Sequence, residues 1–569
     1  MHTIIVWSRD NPIKVIISIL LLTTFSITRL PYLKIDATIQ EMFTAAHPEQ
    51  EFYQETEYKF TSDVITSIYI KDKELFTPEK ISLLEKLTLK FEEIEEIEKV
   101  ASLFNTINFY NDGAMLNNVP LFDPLPIDQI EMDKAFDIGL KNPLFVNQFL
   151  SADKQTMTIV LYAEKGNHDT GYYQRLAKKV DIELAPLENE FEQIFQIGIP
   201  KLSWHAIKGM ARDQIIFIPL AVLVIPLILL IGFSSIIASL LPILVGSISV
   251  LWTIAFMTLV NIDAQILIST VPIILLIISS TQHYHMISKY LEGLHIAKNR
   301  KKAIEYASKK VAFPISLTTI LMVVGLLSIT MNEVMILKEF AIVTAVGLVL
   351  NFFVTATLTP VYLNFLGEKV PHQITDQALL TNFYNKLSKL LLDLARFHKK
   401  KVLIGLIITI TFCTWQSGYI YTDIDNLSIL KKSHPFIKKI NLINKNYKAG
   451  MNSLLVVFKT KGDKPFKKSR AMKKIFEIHQ HINKTWKKGV SQSLVGTLAL
   501  INRELNKGNP KEYRIPDQDN LISKYMLFLS KDDWQAYITP DYKEMNLIIR
   551  HKLSSSVEIE KVLEVLTKD

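Results

Sequence analysis

The sequence predicts a polytopic α-helical membrane protein carrying two extracytoplasmic α/β domains built from strand-helix-strand units. Three observations carry that prediction. Seven apolar runs are each long enough for a bilayer-crossing helix, which needs roughly 20 residues. Two long polar stretches, residues 33–213 and 422–569, follow the first and the last of these runs. Those two stretches repeat one order of segments.

The runs are Ile13–Leu30, Ile215–Phe233, Ile236–Val260, Ala264–Ser280, Val311–Ile329, Phe340–Leu366 and Val402–Ile420. The first lacks a small-residue cleavage site and ends at Arg29 and Pro31. Residues 1–32 therefore read as an uncleaved span, with a signal anchor as the rival reading. Pro219, Pro226, Pro242, Pro272, Pro314 and Pro360 lie within later runs, where membrane helices tolerate them. Residues 214–367 are expected to form a five-span helical bundle. Residues 368–401 are expected to form a basic cytoplasmic linker, and 402–421 the seventh span.

Orientation follows from lysine and arginine. The net charge is +8. The short linkers "KYLEGLHIAKNRKKAIEYASKK" and "ARFHKKK" concentrate basic residues, so both are expected to face the cytoplasm. That parity puts the N-terminus inside and both polar stretches outside. The lysine-rich second stretch does not oppose this, because long translocated domains escape the charge rule. Nucleic acid is not an expected partner, since no basic-aromatic binding module accompanies the charge. Cys413 is the single cysteine, so neither an internal disulfide nor a zinc spacing exists.

The repeat begins just after a span in each half. "YLKIDATIQEMFTAAHPEQEF" aligns with "YIYTDIDNLSILKKSHPFIKK", pairing Asp36 with Asp425 and His47-Pro48 with His434-Pro435. The strand-like "VITSIYIK" (64–71) then matches "NSLLVVFK" (452–459), and a charged helical stretch follows each. "VASLFNTIN" matches "VSQSLVGTLALIN". Further on, "EMNLIIRHK" (544–552) corresponds to "QTMTIVLYAE", and "VEIEKVLEVLTKD" to the amphipathic helix near residue 180. Alternating strands and amphipathic helices predict small α/β sandwiches, with the sheet on one side and helices on the other. The five spans after that helix have no second copy. The expectation is a truncated or split polypeptide; the alternative is a natural protein with a short second domain.

Several segments carry a family resemblance. They are "GIPKLSWHAIKGMARDQIIFIPLAVLVIPLILLIGFSS" with its Arg212-Asp213 pair, "LPILVGSISVLWTIAFMTLVNI", "RKKAIEYASKKVAFPISLTTILMVVGLLSI" and "LKEFAIVTAVGLVLNFFVTATLTPVYL". Together they resemble the resistance-nodulation-division (RND) superfamily, in particular the MmpL and hopanoid-type hydrophobe exporters. The resemblance implies an exporter of lipids or other hydrophobic molecules, driven by an ion gradient, commonly protons, with porter-like domains at 33–213 and 422–569. It implies a bacterial inner membrane location with the large domains periplasmic. Expected partners are membrane lipids, a hydrophobic or lipid substrate, and either further copies of the chain (a dimer or trimer) or a missing C-terminal half. No cofactor is expected. Two alternatives stay open: a non-transporting lipid-binding or assembly protein, or an inactive remnant, and a protein-translocation accessory of the same superfamily.

In the lipid-exporter branch the fourth span commonly ends in Asp, two residues, then His. Here Gln282 falls on the Asp and His285 on the His, within "TQHYHMISKY". Glutamine cannot titrate, which departs from the family pattern. Gln282 and His285 are three apart and are expected to share a helix face, with His283 pointing elsewhere. One reading is a proton relay through His285, oriented by Gln282. The other is a helix end at the cytoplasmic surface, with histidine and Lys289 set against the helix dipole. Asn351, mid-span in the sixth run, is the remaining candidate, either facing the fourth span or making ordinary interhelical packing. Thr318, Thr319, Glu339 and Arg212-Asp213 read as structural. No phosphate-binding loop, nucleophile elbow or metal-binding His-Glu motif is present, so neither catalytic nor metal residues are expected.

Overall fold

The computed structural model describes residues 1–36, 48–111, 115–146, 148–166, 169, 171–233, 235–365, 378–421, 423, 425–450, 452–486 and 488–568. His47 of the first His-Pro pair, Leu366 at the end of the sixth run and the start of the 368–401 linker lie outside the described residues. The chain divides into two compact units, Met1–Thr44 with Lys208–Thr422, and Ala45–Ile207 with Asp423–Asp569.

The first unit opens with α1 (His2–Asp10), a short helix that buries Ile5 and Ser8. Pro12 then starts α2 (Pro12–Arg29). Proline suits this place because the first-turn N–H has no intrahelical partner anyway. Of its 18 residues α2 buries only Val15, Ile19 and Ser26, leaving an apolar surface outward as a lipid-facing helix should.

The second unit begins with α3 (Pro48–Lys59), β1 (Ile65–Lys71), α4 (Pro78–Glu92) and β2 (Ile97–Ala101). The hairpin β3 (Ile107–Asn111) and β4 (Leu116–Pro120) follows with α5 (Gln129–Lys141), then β5 (Thr156–Ala163), α6 (Tyr172–Leu184) and β6 (Gln193–Gly198). The sheet order is β2-β5-β1-β6, with every pairing antiparallel. This is a β-α-β-β-α-β layout with the hairpin and α5 inserted. Ile68 and Ile70 of β1 share one core with Leu84 and Leu87 of α4 and with Leu176 and Val180 of α6. The opposite face of β1 is covered too: the Tyr69 hydroxyl accepts a bond from Asn446 at 2.7 Å. Both faces of the sheet are thus packed, which is why β5 reads as a continuous apolar run.

Back in the first unit come α7 (Ile199–Phe233), α8 (Ile236–Leu259), α9 (Val271–Ala297), α10 (Arg300–Ser328), α11 (Met335–Phe365), α12 (Ala378–Phe397) and α13 (Lys399–Ser417). Helix α7 runs without a break through residues 213 and 214, where the sequence suggested a boundary. Among the described residues five helices are long and apolar enough to cross a membrane: Pro12–Tyr32, Ile199–Phe233, Ile236–Leu259, Arg300–Met331 and Met335–Phe365. Helices α9 and α13, at the expected fourth and seventh spans, fall short of that. The polar "TQHYH" dilutes α9, and α13 opens on three lysines. Small residues bring α8, α9 and α11 close together. A Cβ on Gly246 would stand 2.8 Å from Leu276 Cδ2, and one on Gly347 would stand 3.0 Å from Leu275 Cδ1. Close backbone approach of this kind drives helix packing where lipid removes the hydrophobic effect. The Trp252 indole of α8 donates to Thr23 Oγ1 of α2 at 3.1 Å. The Ala264 N–H before α9 donates to the Lys34 carbonyl after α2 at 2.8 Å.

The second unit is completed by α14 (Pro435–Asn446), β7 (Asn452–Lys459), α15 (Ser469–Thr485), β8 (Gly489–Gln492), α16 (Leu494–Leu505), α17 (Asp519–Tyr525), α18 (Lys531–Gln535), β9 (Glu544–His551) and α19 (Ser556–Lys568). The strand order β7-β9-β8 repeats β2-β5-β1 read from the centre outward, as β1-β5-β2, and is likewise antiparallel. His434 caps α14, its Nδ1 accepting the Phe436 N–H at 3.2 Å. At Gly450 a Cβ would lie 2.0 Å from the His551 carbonyl oxygen, so only glycine fits beside β9. The hairpin β3–β4 is pinned to α16, with the Asn111 N–H donating to Glu504 Oε2 at 2.9 Å. Lys59 pairs with Glu544 at 2.9 Å.

Candidate functional site

Helix α9 buries a stripe that includes Leu275, Leu276, Ser279, Gln282, His283, Met286, Ile287, Tyr290 and Leu291. The spacing is two adjacent rows at i, i+4, which form one face of a helix turning about 100° per residue. That face meets α8, α10 and α11, and its polar members meet polar partners there.

Gln282 stands at the centre. Its Oε1 accepts from Asn351 Nδ2 of α11 at 3.1 Å and from Thr355 Oγ1 at 3.4 Å. Its Nε2 donates to Thr319 Oγ1 of α10 at 3.3 Å. Ser249 Oγ of α8 stands 3.2 Å from Asn351 Oδ1 and also donates to the Val245 carbonyl. His283 lies beside this set, wholly buried. Its Nδ1 is 2.6 Å from the Ser279 carbonyl oxygen and its Nε2 is 2.9 Å from Thr359 Oγ1. A carbonyl can only accept, so the Nδ1 carries the proton, and in the neutral ring Nε2 accepts from the threonine hydroxyl. Thr359 can reverse that role by rotating its hydroxyl, so a second proton on His283 finds an acceptor there. The group is a sealed polar seam through an apolar bundle, with one titratable member.

The geometry corrects two expectations. His283, not His285, takes the interior; His285 is exposed beside Tyr284. Gln282 and His285 do lie within one turn, but the buried stripe is centred between positions 282 and 283, and 285 falls well outside it. The polar stretch is also not a helix end. Helix α9 continues to Ala297 and ends at Lys298 in the left-handed conformation. Dipole stabilisation acts only within the last turn, so it does not account for residues 282–285. Helix continuation is driven by Met286, Ile287, Tyr290 and Leu291, which keep the same face apolar.

Asn351 is fully buried in the seam, while Thr318 only returns its hydroxyl to the Ile315 carbonyl. Glu339 accepts from Gln265 Nε2 at 2.8 Å. Arg212 and Asp213 stand 3.9 Å apart on the exposed surface of α7. Sequence reasoning missed Ser249, Ser279, Thr355 and Thr359. A signal for the last two was present: Asn351, Thr355 and Thr359 follow at i, i+4, i+8, a polar stripe along one face of an otherwise apolar run. Among the described residues no group of three or more His, Cys, Asp or Glu could hold a metal ion.

Residues 74–391 match the family model described as the MMPL family. A curated relative, "Putative membrane protein MJ1562" of Methanocaldococcus jannaschii, is 22% identical over 369 residues, covering 62% of this chain and 90% of its own length.

Proposed function

The chain belongs to the MMPL family, and from that premise we propose that it is an RND-type exporter moving lipids or other hydrophobic molecules outward across a bacterial inner membrane. It is a multi-pass membrane protein. In this reading it has seven spans, a cytoplasmic N-terminus and two periplasmic porter-like lobes, and it assembles into a dimer or trimer. Export is driven by protons. The relay is His283 with Thr359, and the Gln282–Asn351 pair positions α9 against α11. His285 takes no part.

One observation carries the coupling reading: a titratable ring sits fully buried in a polar seam between helices, where ionisable groups are costly and mark ion pathways. The test uses right-side-out membrane vesicles loaded with Nile red and energised by an imposed pH gradient, acid outside. Gradient-dependent loss of dye is expected from the wild-type chain and from His285→Ala, and none from His283→Ala. Full activity of His283→Ala at equal expression removes the relay.

A second reading, a non-transporting lipid-binding protein, draws on a different observation. No carboxylate is hydrogen-bonded to Gln282, His283 or Asn351 among the described residues. It predicts gradient-independent dye retention together with lipid that co-purifies.

A further inference from the structure

Two adjoining cavities lie on the second unit, of about 710 Å³ and 540 Å³, and they share Lys141 and Pro510. The hairpin β3–β4 and helices α5, α15 and α16 frame them. Their apolar lining includes Phe109 and Ile138 in the first and Leu140 and Val146 in the second. Their charged lining is one-sided. Glu504, the sole carboxylate lining the pair among the described residues, is already engaged: Arg503 pairs with it at 2.6 Å and the Asn111 N–H donates to it. Lys141, Lys484 and Lys507 line the cavities with no ion pair among the described residues.

The plainest explanation of these lysines is helix-end electrostatics. Lys141 ends α5, Lys484 lies in the last turn of α15, and Lys507 follows α16. Each helix end contributes about half a unit of negative charge. Three ends therefore offset roughly half of three ammonium groups, and the groove stays positive. Lys507 lies in a C-terminal turn at φ 58°, next to Gly508 at φ 69°, a conformation that Lys154, Lys298 and Lys464 also take.

We propose that this groove binds an acidic amphiphile, with its phosphate or carboxylate headgroup at Lys141, Lys484 and Lys507 and its acyl chain along Phe109, Ile138, Leu140 and Val146. The inference deepens the export reading by naming the substrate class as anionic lipid, and it rests on that reading for the purpose of binding but not for binding itself. The headgroup is bound by charge and the chain by apolar contact, so neither part alone binds as well as the whole.

The experiment uses the full chain in uncharged detergent with diazirine-tailed phosphatidylglycerol and phosphatidylcholine, followed by mapping of the cross-linked peptides. Phosphatidylglycerol is expected to label peptides of β3–β4, α5 and α16, and phosphatidylcholine to label them far less. The variant Lys141→Gln/Lys484→Gln/Lys507→Gln is expected to lower the phosphatidylglycerol yield roughly tenfold, since each lysine near an anionic headgroup adds attraction. The matching triple lysine-to-arginine variant is expected to keep it, which separates charge from folding. Glycerol phosphate at equal concentration is expected not to compete; full competition would mean a free phosphate ester and would overturn the amphiphile. Equal labelling by both lipids, or unchanged labelling in the glutamine variant, would overturn the site. Labelling in a chain that shows no gradient-driven efflux would remove the export reading and leave this site standing.

Discussion

Asn351 on α11 gives its amide N–H to the side-chain oxygen of Gln282 on α9 at 3.1 Å, and both residues are buried. Neither is charged, so the contact costs no ion desolvation. Its value is orientation: it fixes the rotation of α9, and the adjacent His283 is turned toward Thr359 by the same rotation.

Removing either amide should loosen that seam. Gln282→Leu leaves Asn351 Nδ2 and the Thr355 hydroxyl without their acceptor. The expected loss is about 1 kcal/mol, near the middle of what interhelical polar contacts contribute in membranes. A double-mutant cycle with Asn351→Ala should be non-additive, because the two side chains share one bond. Thermal unfolding in detergent reads it, and strictly additive effects would show that the pair is not coupled.

Arg550 of β9 is 3% exposed, and its Nη2 donates to Ser67 Oγ at 2.8 Å and to the Gly450 carbonyl at 3.1 Å. No carboxylate pairs with it among the described residues, and its Nε and Nη1 have no hydrogen-bond partner. Burial pushes the guanidinium pKa down from its usual place. A buried charge so weakly compensated is expensive to hold. Arg550→Met keeps most of the volume and removes the charge, so it should leave the melting temperature unchanged or raise it. Arg550→Ala should lower stability by roughly 2–4 kcal/mol through the cavity it leaves. A methionine variant as unstable as the alanine variant would mean that the charge itself holds the two sheets.

Stability of the second unit should respond to pH in two opposed ways. Burial first, then the Asp63 carboxylate, push Glu57 up to about 7 from an ordinary 4.5. The unfolded chain releases this proton above 4.5 while the folded chain keeps it, so stability declines as pH rises toward 7. Glu57→Gln removes that decline. Its melting temperature should exceed the wild type at pH 8 and match it at pH 4.5. Burial holds His479 and His551 down to about 4 from an ordinary 6.5. Their contribution is full above 6.5 and is lost as pH falls toward 4, because only the unfolded chain takes up protons there. Replacing His479 with asparagine should flatten the acid limb of a melting-temperature profile. A variant profile parallel to the wild type at every pH would contradict the assignment.

Much of the architecture is a local property of this chain. Runs such as "IIFIPLAVLVIPLILLIGF" form long apolar helices whatever surrounds them, because both length and composition are written in consecutive residues. Strands β1 and β5 fall on "VITSIYIK" and "TMTIVLYA", whose unbroken apolar character reflects cover on both faces. The strand order β1-β5-β2 and its echo β7-β9-β8 follow the same segment order that the letters repeat. Average polarity misled at α9, where "TQHYH" looks like the end of a helix. The helix continues because Met286, Ile287, Tyr290 and Leu291 keep one face buried, a periodicity that an average conceals.

The sequence by itself thus determined the helices, the strands and the presence of a polar patch in an apolar run. Only the tertiary structure decided which residues of that patch act together. His283 and His285 are two apart, about 200° around a helix, and nothing in the letters says which of them faces inward. That choice belongs to the positions of α8, α10 and α11. Gly246 and Gly347 set how closely they approach, and the hydroxyls of Thr319 and Thr355 meet Gln282 while that of Thr359 meets His283.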